Sequence, residues 1–294
     1  ALINYKKSLE INPNYAEGHN NLGIALYKLE KFNESIDSYQ RALKIKPNFS
    51  KAHNNLGLAY KELEKFNDSI NSYQNAIKID PGYAEAYNNL GVTFKQLGKL
   101  NESMNSYQKA IKINPKYAEA YNNLGNIYNS NQKIDDAISN YKKAIKLNAN
   151  FIEAYSNLGN LLKEIGEVDE AKKYESKLLS LRPNDIEYKI NIILSISPIV
   201  SSIDEINYCR NKFEKGLDLL KECQYLSEKP GDTIKTSIFH LSYHGKDNLE
   251  LMKNTSDLFR KIIPNVNYIS KNIDKEKIQK KIRIGFISEF LTNH

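Results

Sequence analysis

Five asparagines that return at a constant interval of 34 positions carry the clearest recurring chemistry in this sequence. Each of them stands directly before a Leu-Gly pair, so all five occupy one register position. An asparagine side chain offers amide N–H donors and a carbonyl acceptor together, and it can therefore pair with both polar groups of a peptide backbone. A column of such amides predicts a binding site for an extended peptide. We call its members the ladder asparagines: Asn21, Asn55, Asn89, Asn123 and Asn157.

A second interpretation of this column stays open, because asparagine is abundant in the chain and polar residues suit any solvated helix face. The column immediately before it is also asparagine, at Asn20, Asn54, Asn88 and Asn122. A groove that binds carboxylates would instead need paired Lys or Arg residues beside the ladder. Lys51 alone occupies such a position, so the sequence disfavours that type of groove.

The spacing of histidines and cysteines predicts no metal site and no thiol chemistry. His240 and His244 would share a helix face, but no Glu follows His240 as a zinc-hydrolase helix requires, and no third ligand is evident. Cys209 and Cys223 would lie about 21 Å apart in a single helix, beyond the reach of a disulfide. Reduced thiols are typical of a cytoplasmic protein.

The basic net charge of the chain does not indicate nucleic-acid binding. The charge is +7 and the pI is near 9.0, but the Lys residues are spread over the repeats and interleaved with Asp and Glu. A nucleic-acid-binding module would show a basic and aromatic cluster. The longest apolar run, 190–200, is interrupted by polar residues and by Pro198, and it is too short to span a bilayer. We therefore expect neither nucleic acid nor a membrane as a partner.

Each 34-residue unit predicts two helices, which position the ladder asparagines. In the third unit, residues 84–98 and 100–113 carry apolar residues at helical spacing, and Pro115 follows in the turn to the next unit. Small residues such as Gly91 are expected where two helix backbones approach closely. Asparagine is a favoured N-cap residue. The expected N-caps of three second helices are Asn33, Asn67 and Asn101.

The unit resembles the tetratricopeptide repeat. The Leu-Gly pair of that family recurs five times, and Leu178 departs from the family's alanine in the last unit. The resemblance implies an all-α right-handed superhelix, or α-solenoid, whose concave groove binds proteins or extended peptides. The ladder asparagines would face that groove. The family's alanine in the second helix stands at Ala42, Ala76, Ala110 and Ala144.

The period also divides the chain into segments. We expect a partial repeat, its second helix only, over 1–15 and five tetratricopeptide repeats over 16–185. Because the period is already running at the first residue, the sequence is expected to be a piece of a longer protein. A degenerate or capping helix is predicted over 186–200 and a helical linker region over 201–280. Residues 281–294 predict a short β-strand that opens an α/β domain.

A second resemblance covers the linker and the tail. The linker contains Phe-His-Leu-Ser-Tyr-His-Gly-Lys-Asp at 239–247, and the chain ends in Arg-Ile-Gly-Phe-Ile-Ser-Glu-Phe-Leu-Thr-Asn-His at 283–294. Behind these repeats, this order is similar to that of the O-GlcNAc transferase and SPINDLY family of protein O-glycosyltransferases. The resemblance implies the first strand of a truncated α/β glycosyltransferase domain, and it assigns an acid/base or substrate-contacting role in catalysis to His294.

The resemblance further implies what the parent protein does. It would be a glycosyltransferase enzyme that moves a sugar from a nucleotide-sugar donor to Ser or Thr of an acceptor protein, which the repeats bind. No cofactor is implied, since the donor is a substrate, with UDP-GlcNAc favoured over GDP-fucose. The fragment lacks most of the catalytic domain and is expected to be inactive. The alternative function is a non-enzymatic scaffold for protein–protein interaction.

Overall fold

A computed structural model describes residues 2–183, 185, 189–190, 202–221 and 249–262. The chain divides into two compact units, Ala1–Pro183 and Asn184–His294. The described residues contain helices and no strand. The predicted strand over 281–294, and His294 with it, lies outside the described residues.

In the part of the first unit that the structure describes, ten helices follow one another as five pairs, preceded by the single helix α1, Leu2–Ile11. Each pair is one repeat, with a first and a second helix of similar length. The repeats are α2 Ala16–Tyr27 with α3 Phe32–Ile45, α4 Ser50–Glu62 with α5 Phe66–Ile79, α6 Ala84–Gln96 with α7 Leu100–Ile113, α8 Ala118–Ser130 with α9 Ile134–Leu147, and α10 Ile152–Glu164 with α11 Val168–Leu181.

The first and second helices of the repeats make different contacts with neighbouring repeats. Each second helix packs on the first helix of its own repeat, and the first four of them also pack on the first helix of the next repeat, as α3 packs on α2 and α4. First helices also contact one another directly, α2 with α4, α4 with α6, and α8 with α10. Because they are the more closely spaced set, the first helices line the inner side of the superhelix. The predicted all-α solenoid is confirmed.

Within a repeat, a glycine of the first helix receives the ring of a tyrosine from the second helix. Tyr107 is fully buried, and a Cβ added to Gly91 would lie 2.7 Å from its ring. The nearest atoms are ring atoms, so a side chain at Gly91 would meet the Tyr107 ring first. The Ser103 hydroxyl also donates to the Gly91 carbonyl at 2.8 Å. The contact between glycine and tyrosine ring is found in four repeats, in the pairs Gly23–Tyr39, Gly57–Tyr73, Gly91–Tyr107 and Gly125–Tyr141.

A left-handed residue ends the first helix of each repeat. In the second repeat Glu64 has a φ of 56°, and the Lys65 N–H donates to the Tyr60 carbonyl at 2.9 Å, which is the Schellman arrangement. The second helix begins directly at Phe66, with Lys65 as its N-cap residue and no side-chain cap. Lys65 thus both closes the end of α4 and caps the start of α5, so an asparagine cannot occupy the N-cap position. The expected N-caps were wrong, since the second residue of each helix is Asn33, Asn67 and Asn101.

The described part of the second unit contains α12, Ile203–Lys221, and α13, Leu249–Ile262, which contact each other. Both helices are amphipathic, with apolar side chains buried on one side. No described helix in either unit is long and apolar enough to cross a membrane. The buried apolar residues of this pair include Phe213, Leu217, Leu220, Leu251 and Leu258.

Candidate peptide-binding face

The ladder asparagines all lie on first helices, the set that lines the inner side of the superhelix. Asn89, for example, lies in α6 and is partly buried. Glu85 stands four residues before it on the same helix and is exposed. Residues four apart on a helix share a face, so a carboxylate and an amide lie one turn apart on this side of α6.

Four ladder asparagines donate a hydrogen bond to the repeat before them. Among the described residues no such bond is made by Asn21. The acceptor is in every case the asparagine of the neighbouring column, and we call these acceptors the anchor asparagines. The bonds run from Nδ2 of Asn55 to Oδ1 of Asn20, from Asn89 to Asn54, from Asn123 to Asn88 and from Asn157 to Asn122, each at 3.0 Å.

The anchor asparagines were not identified from the sequence. Their column served only to support the interpretation that asparagine suits a solvated helix face. In the structure they are buried, and Asn54 is 0% exposed, so that interpretation was wrong for the anchor column. The signal that could have found them is the interval of 35 residues between Asn20 and Asn55, which is one repeat plus one position.

Carboxylates extend the hydrogen bonding of this face. Asn54 donates through Nδ2 to Oε1 of Glu85 at 3.2 Å, so this anchor links a ladder asparagine to a carboxylate of the same helix. Glu17, at the equivalent position of the first repeat, pairs with Lys46 at 2.8 Å, and that hydrogen bond lowers the pKa of the Glu17 carboxyl. In the second repeat the position is held by Lys51, which is exposed.

Two tyrosines that precede first helices lie against anchor asparagines. The side chain of Tyr83 interacts with Asn54, and that of Tyr117 interacts with Asn88. Burial raises the pKa of Tyr83 to about 12, with Glu85 acting in the same direction. Burial likewise raises the pKa of Tyr117. Both hydroxyls are therefore protonated at neutral pH.

No cluster of side chains suited to a metal ion occurs within the described ranges. His19 and His53 instead bind the backbone of the preceding turn. Each ring Nε2 is hydrogen-bonded to the carbonyl of a proline six residues earlier, at 2.9 and 3.1 Å. Burial lowers the pKa of His53. The pair considered from the sequence, His240 and His244, lies outside the described residues.

Helix pairs that recur every 34 residues and stack with their first helices inward define an α-solenoid repeat protein. More specifically, the chain belongs to the tetratricopeptide repeat family. A family model described as tetratricopeptide repeat matches residues 152–185. The model described as TPR repeat matches 1–30, 25–64, 59–98, 93–131 and 125–166.

Solved structures of repeat proteins are similar to this chain. PilF of Pseudomonas aeruginosa is 17% identical over 78% of this chain and 95% of that chain, with a TM-score of 0.59. A tetratricopeptide repeat protein of Thermus thermophilus is 24% identical over 60% of this chain and 96% of that chain, with a TM-score of 0.51. MamA is 32% identical over 57% and 98%, with a TM-score of 0.49. The first two likenesses show the fold alone. No curated protein matches the sequence.

Proposed function

We propose that the repeats form a protein-interaction scaffold that binds an extended segment of a partner protein along the ladder asparagines. The observation that carries this proposal is the column itself. Five side-chain amides stand at one register position on the inner helices, and each has hydrogen-bonding groups left over after its contacts within the protein.

The remaining groups suit a peptide backbone. An asparagine Nδ2 carries two hydrogens, of which the anchored members use one. One N–H and the Oδ1 stay available, and together they complement the C=O and N–H of an extended peptide. Because such contacts avoid the peptide's side chains, the scaffold would accept many sequences, and its affinity would depend on how many ladder asparagines are engaged at once.

A peptide array followed by titration of the best binders tests this function. Replacing Asn89 and Asn123 by Ala removes two members of the ladder, and we expect affinity to fall about 10- to 100-fold, at about 1 kcal/mol for each asparagine removed. The matched control replaces Asn71 and Asn105, which are exposed on the second helices α5 and α7. Equal affinity of the ladder variant and the control variant would contradict the proposal, as would an array with no binders.

The sequence at 283–294 favours a second candidate, in which this scaffold belongs to a cytoplasmic protein O-glycosyltransferase. The repeats would then deliver the acceptor protein, and His294 would contact the reacting groups. The donor would be a nucleotide sugar, UDP-GlcNAc rather than GDP-fucose. Support for this candidate comes from the order of repeats, linker and tail in the sequence.

Sugar transfer to acceptor peptides, followed by mass spectrometry, tests the second candidate. The natural full-length gene product would be supplied with UDP-GlcNAc or with GDP-fucose in separate reactions. We expect transfer from UDP-GlcNAc that His294→Ala abolishes and that the control His240→Ala leaves in place. Absence of transfer from both donors would remove this candidate and leave the scaffold function standing.

A further inference from the structure

We infer that the anchor asparagines are positioning residues that orient the ladder amides. Each anchored ladder asparagine then presents its Oδ1 and one N–H to the peptide, and the orientation of the amide is the same in every repeat. This inference rests on the proposed function, because it concerns how the same face binds a peptide. It assigns a role to buried residues that do not themselves belong to the ladder: Asn20, Asn54, Asn88 and Asn122.

The orientation follows from the chemistry around Asn54. The Glu85 carboxylate can only accept hydrogen bonds, so Asn54 must turn its Nδ2 toward it, as the distance of 3.2 Å shows. The Oδ1 of Asn54 then faces α6, where it can only accept. Asn89 must therefore donate to it through Nδ2, which lies 3.0 Å away. Turning either amide over would bring two oxygens or two NH2 groups together.

The same orientation is found at the other anchors. In each of the four bonds the ladder member is the donor and the anchor is the acceptor. At Asn88, the side chain of Tyr117 lies against the amide, as that of Tyr83 does at Asn54. A buried amide with partners on both sides cannot turn over without losing a hydrogen bond, which would leave a polar group unsatisfied.

Fixing the amides in advance matters for affinity. A free asparagine side chain rotates about two bonds and presents oxygen or nitrogen to a ligand with similar ease, so binding would have to order it. An anchored asparagine has lost this freedom on folding. The four anchored members of the ladder therefore meet a peptide with their acceptors already aligned, and the peptide does not have to order these side chains when it binds.

Asn21 offers a comparison within the wild-type chain, because no anchor bond is described for it, whereas Asn123 donates to Asn88. We expect the side-chain amide NMR signals of Asn123 to show a low temperature dependence and slow hydrogen exchange. Those of Asn21 should behave like a solvated amide. This measurement needs no peptide and no variant, and identical behaviour of the two side chains would overturn the inference.

Variants of Asn88 test the link to binding. Asn88→Leu keeps the size of the side chain and removes the acceptor, and we expect peptide affinity to fall about three- to tenfold, as for one hydrogen bond. Asn88→Asp keeps an oxygen acceptor toward Asn123 and should restore affinity and the Asn123 amide signals. Melting temperatures of both variants, followed by circular dichroism, show whether the repeat stays folded.

The outcomes separate this inference from the proposed function. If the wild-type chain binds no peptide, the proposed function fails, while the NMR comparison of Asn21 with Asn123 still decides whether the amides are oriented. If the wild-type binds and Asn88→Leu binds equally well, the ladder stands and the positioning role is wrong. If Asn88→Asp binds as weakly as Asn88→Leu, the acceptor at this position is not what orients the ladder.

Discussion

The first four repeats and the fifth repeat place different chemistry at the same point between their two helices. In the first four, a tyrosine ring fills the space over the glycine, and a Cβ added to any of these glycines would lie 2.5–2.7 Å from a ring carbon. In the fifth, Glu175 takes the place of the tyrosine, and the nearest atom to a Cβ on Gly159 is Glu175 Cγ at 3.7 Å. Lys163 pairs with this buried carboxylate at 2.8 Å.

A methyl group on the glycine would therefore clash with a ring in the first four repeats, whereas the fifth repeat keeps a glycine that has no ring over it. The fifth repeat keeps the paired helices of the other four, α10 with α11, although the ring is missing. Leu178 is also larger than the alanine it replaces, and it is buried. The fifth repeat thus fills its interior with an aliphatic side chain and an ion pair, where the others use an aromatic ring.

The largest difference between the two kinds of repeat is expected when the side chain over the glycine is removed. Tyr107→Ala deletes a fully buried ring and should lower the free energy of unfolding by about 3–5 kcal/mol. Glu175→Ala should cost no more than about 2 kcal/mol, because Lys163 is partly exposed and can turn to water. Urea unfolding followed by circular dichroism measures both values. Equal losses would show that the ion pair stabilises its repeat as much as the ring does.

A smaller difference is expected at the glycines themselves. Gly91→Ala places a methyl group against the Tyr107 ring and should cost about 1–3 kcal/mol. Gly159→Ala meets only ordinary contact distances, so the helix propensity of alanine should dominate and raise stability by up to about 1 kcal/mol. Because repeat arrays unfold in parts, amide hydrogen exchange resolved by repeat is the measurement of choice. Destabilisation of both repeats would argue that the helix crossing itself requires glycine.

The sequence predicted those parts of this architecture that depend on local pattern. The period, the helix pairs and the register of the ladder could be seen in it, because apolar spacing and turn residues repeat with every unit. It could not show that a methyl group added at Gly91 would meet a ring, since that contact joins residues of two helices in three dimensions. The burial of Asn54 was hidden for the same reason. From the sequence alone a polar residue is predicted to be exposed, because its hydrogen-bond partners in the neighbouring repeats are not known.

The smallest expected effects concern the tyrosine hydroxyls. Tyr141 donates to Asn126 Oδ1 at 2.8 Å, whereas the equivalent residue in the third repeat, Val92, offers Tyr107 no acceptor. Among the described residues the Tyr107 hydroxyl has no hydrogen-bond partner, and the nearby Ser103 hydroxyl already donates to a carbonyl. Tyr141→Phe should therefore cost about 1 kcal/mol, and Tyr107→Phe should leave stability unchanged or raise it by up to about 1 kcal/mol.

Alkaline unfolding provides a second measurement on the same two variants. Burial raises the pKa of Tyr107 and of Tyr141 to about 12 each, from an ordinary value near 10. The unfolded chain therefore releases these protons first, and their contribution to stability is complete below pH 10 and is lost as the pH rises toward 12. Either Tyr→Phe variant should resist this loss, because phenylalanine has no proton to release. If Tyr107→Phe unfolds at the same alkaline pH as the wild-type chain, ionisation of the buried ring is not what destabilises the third repeat.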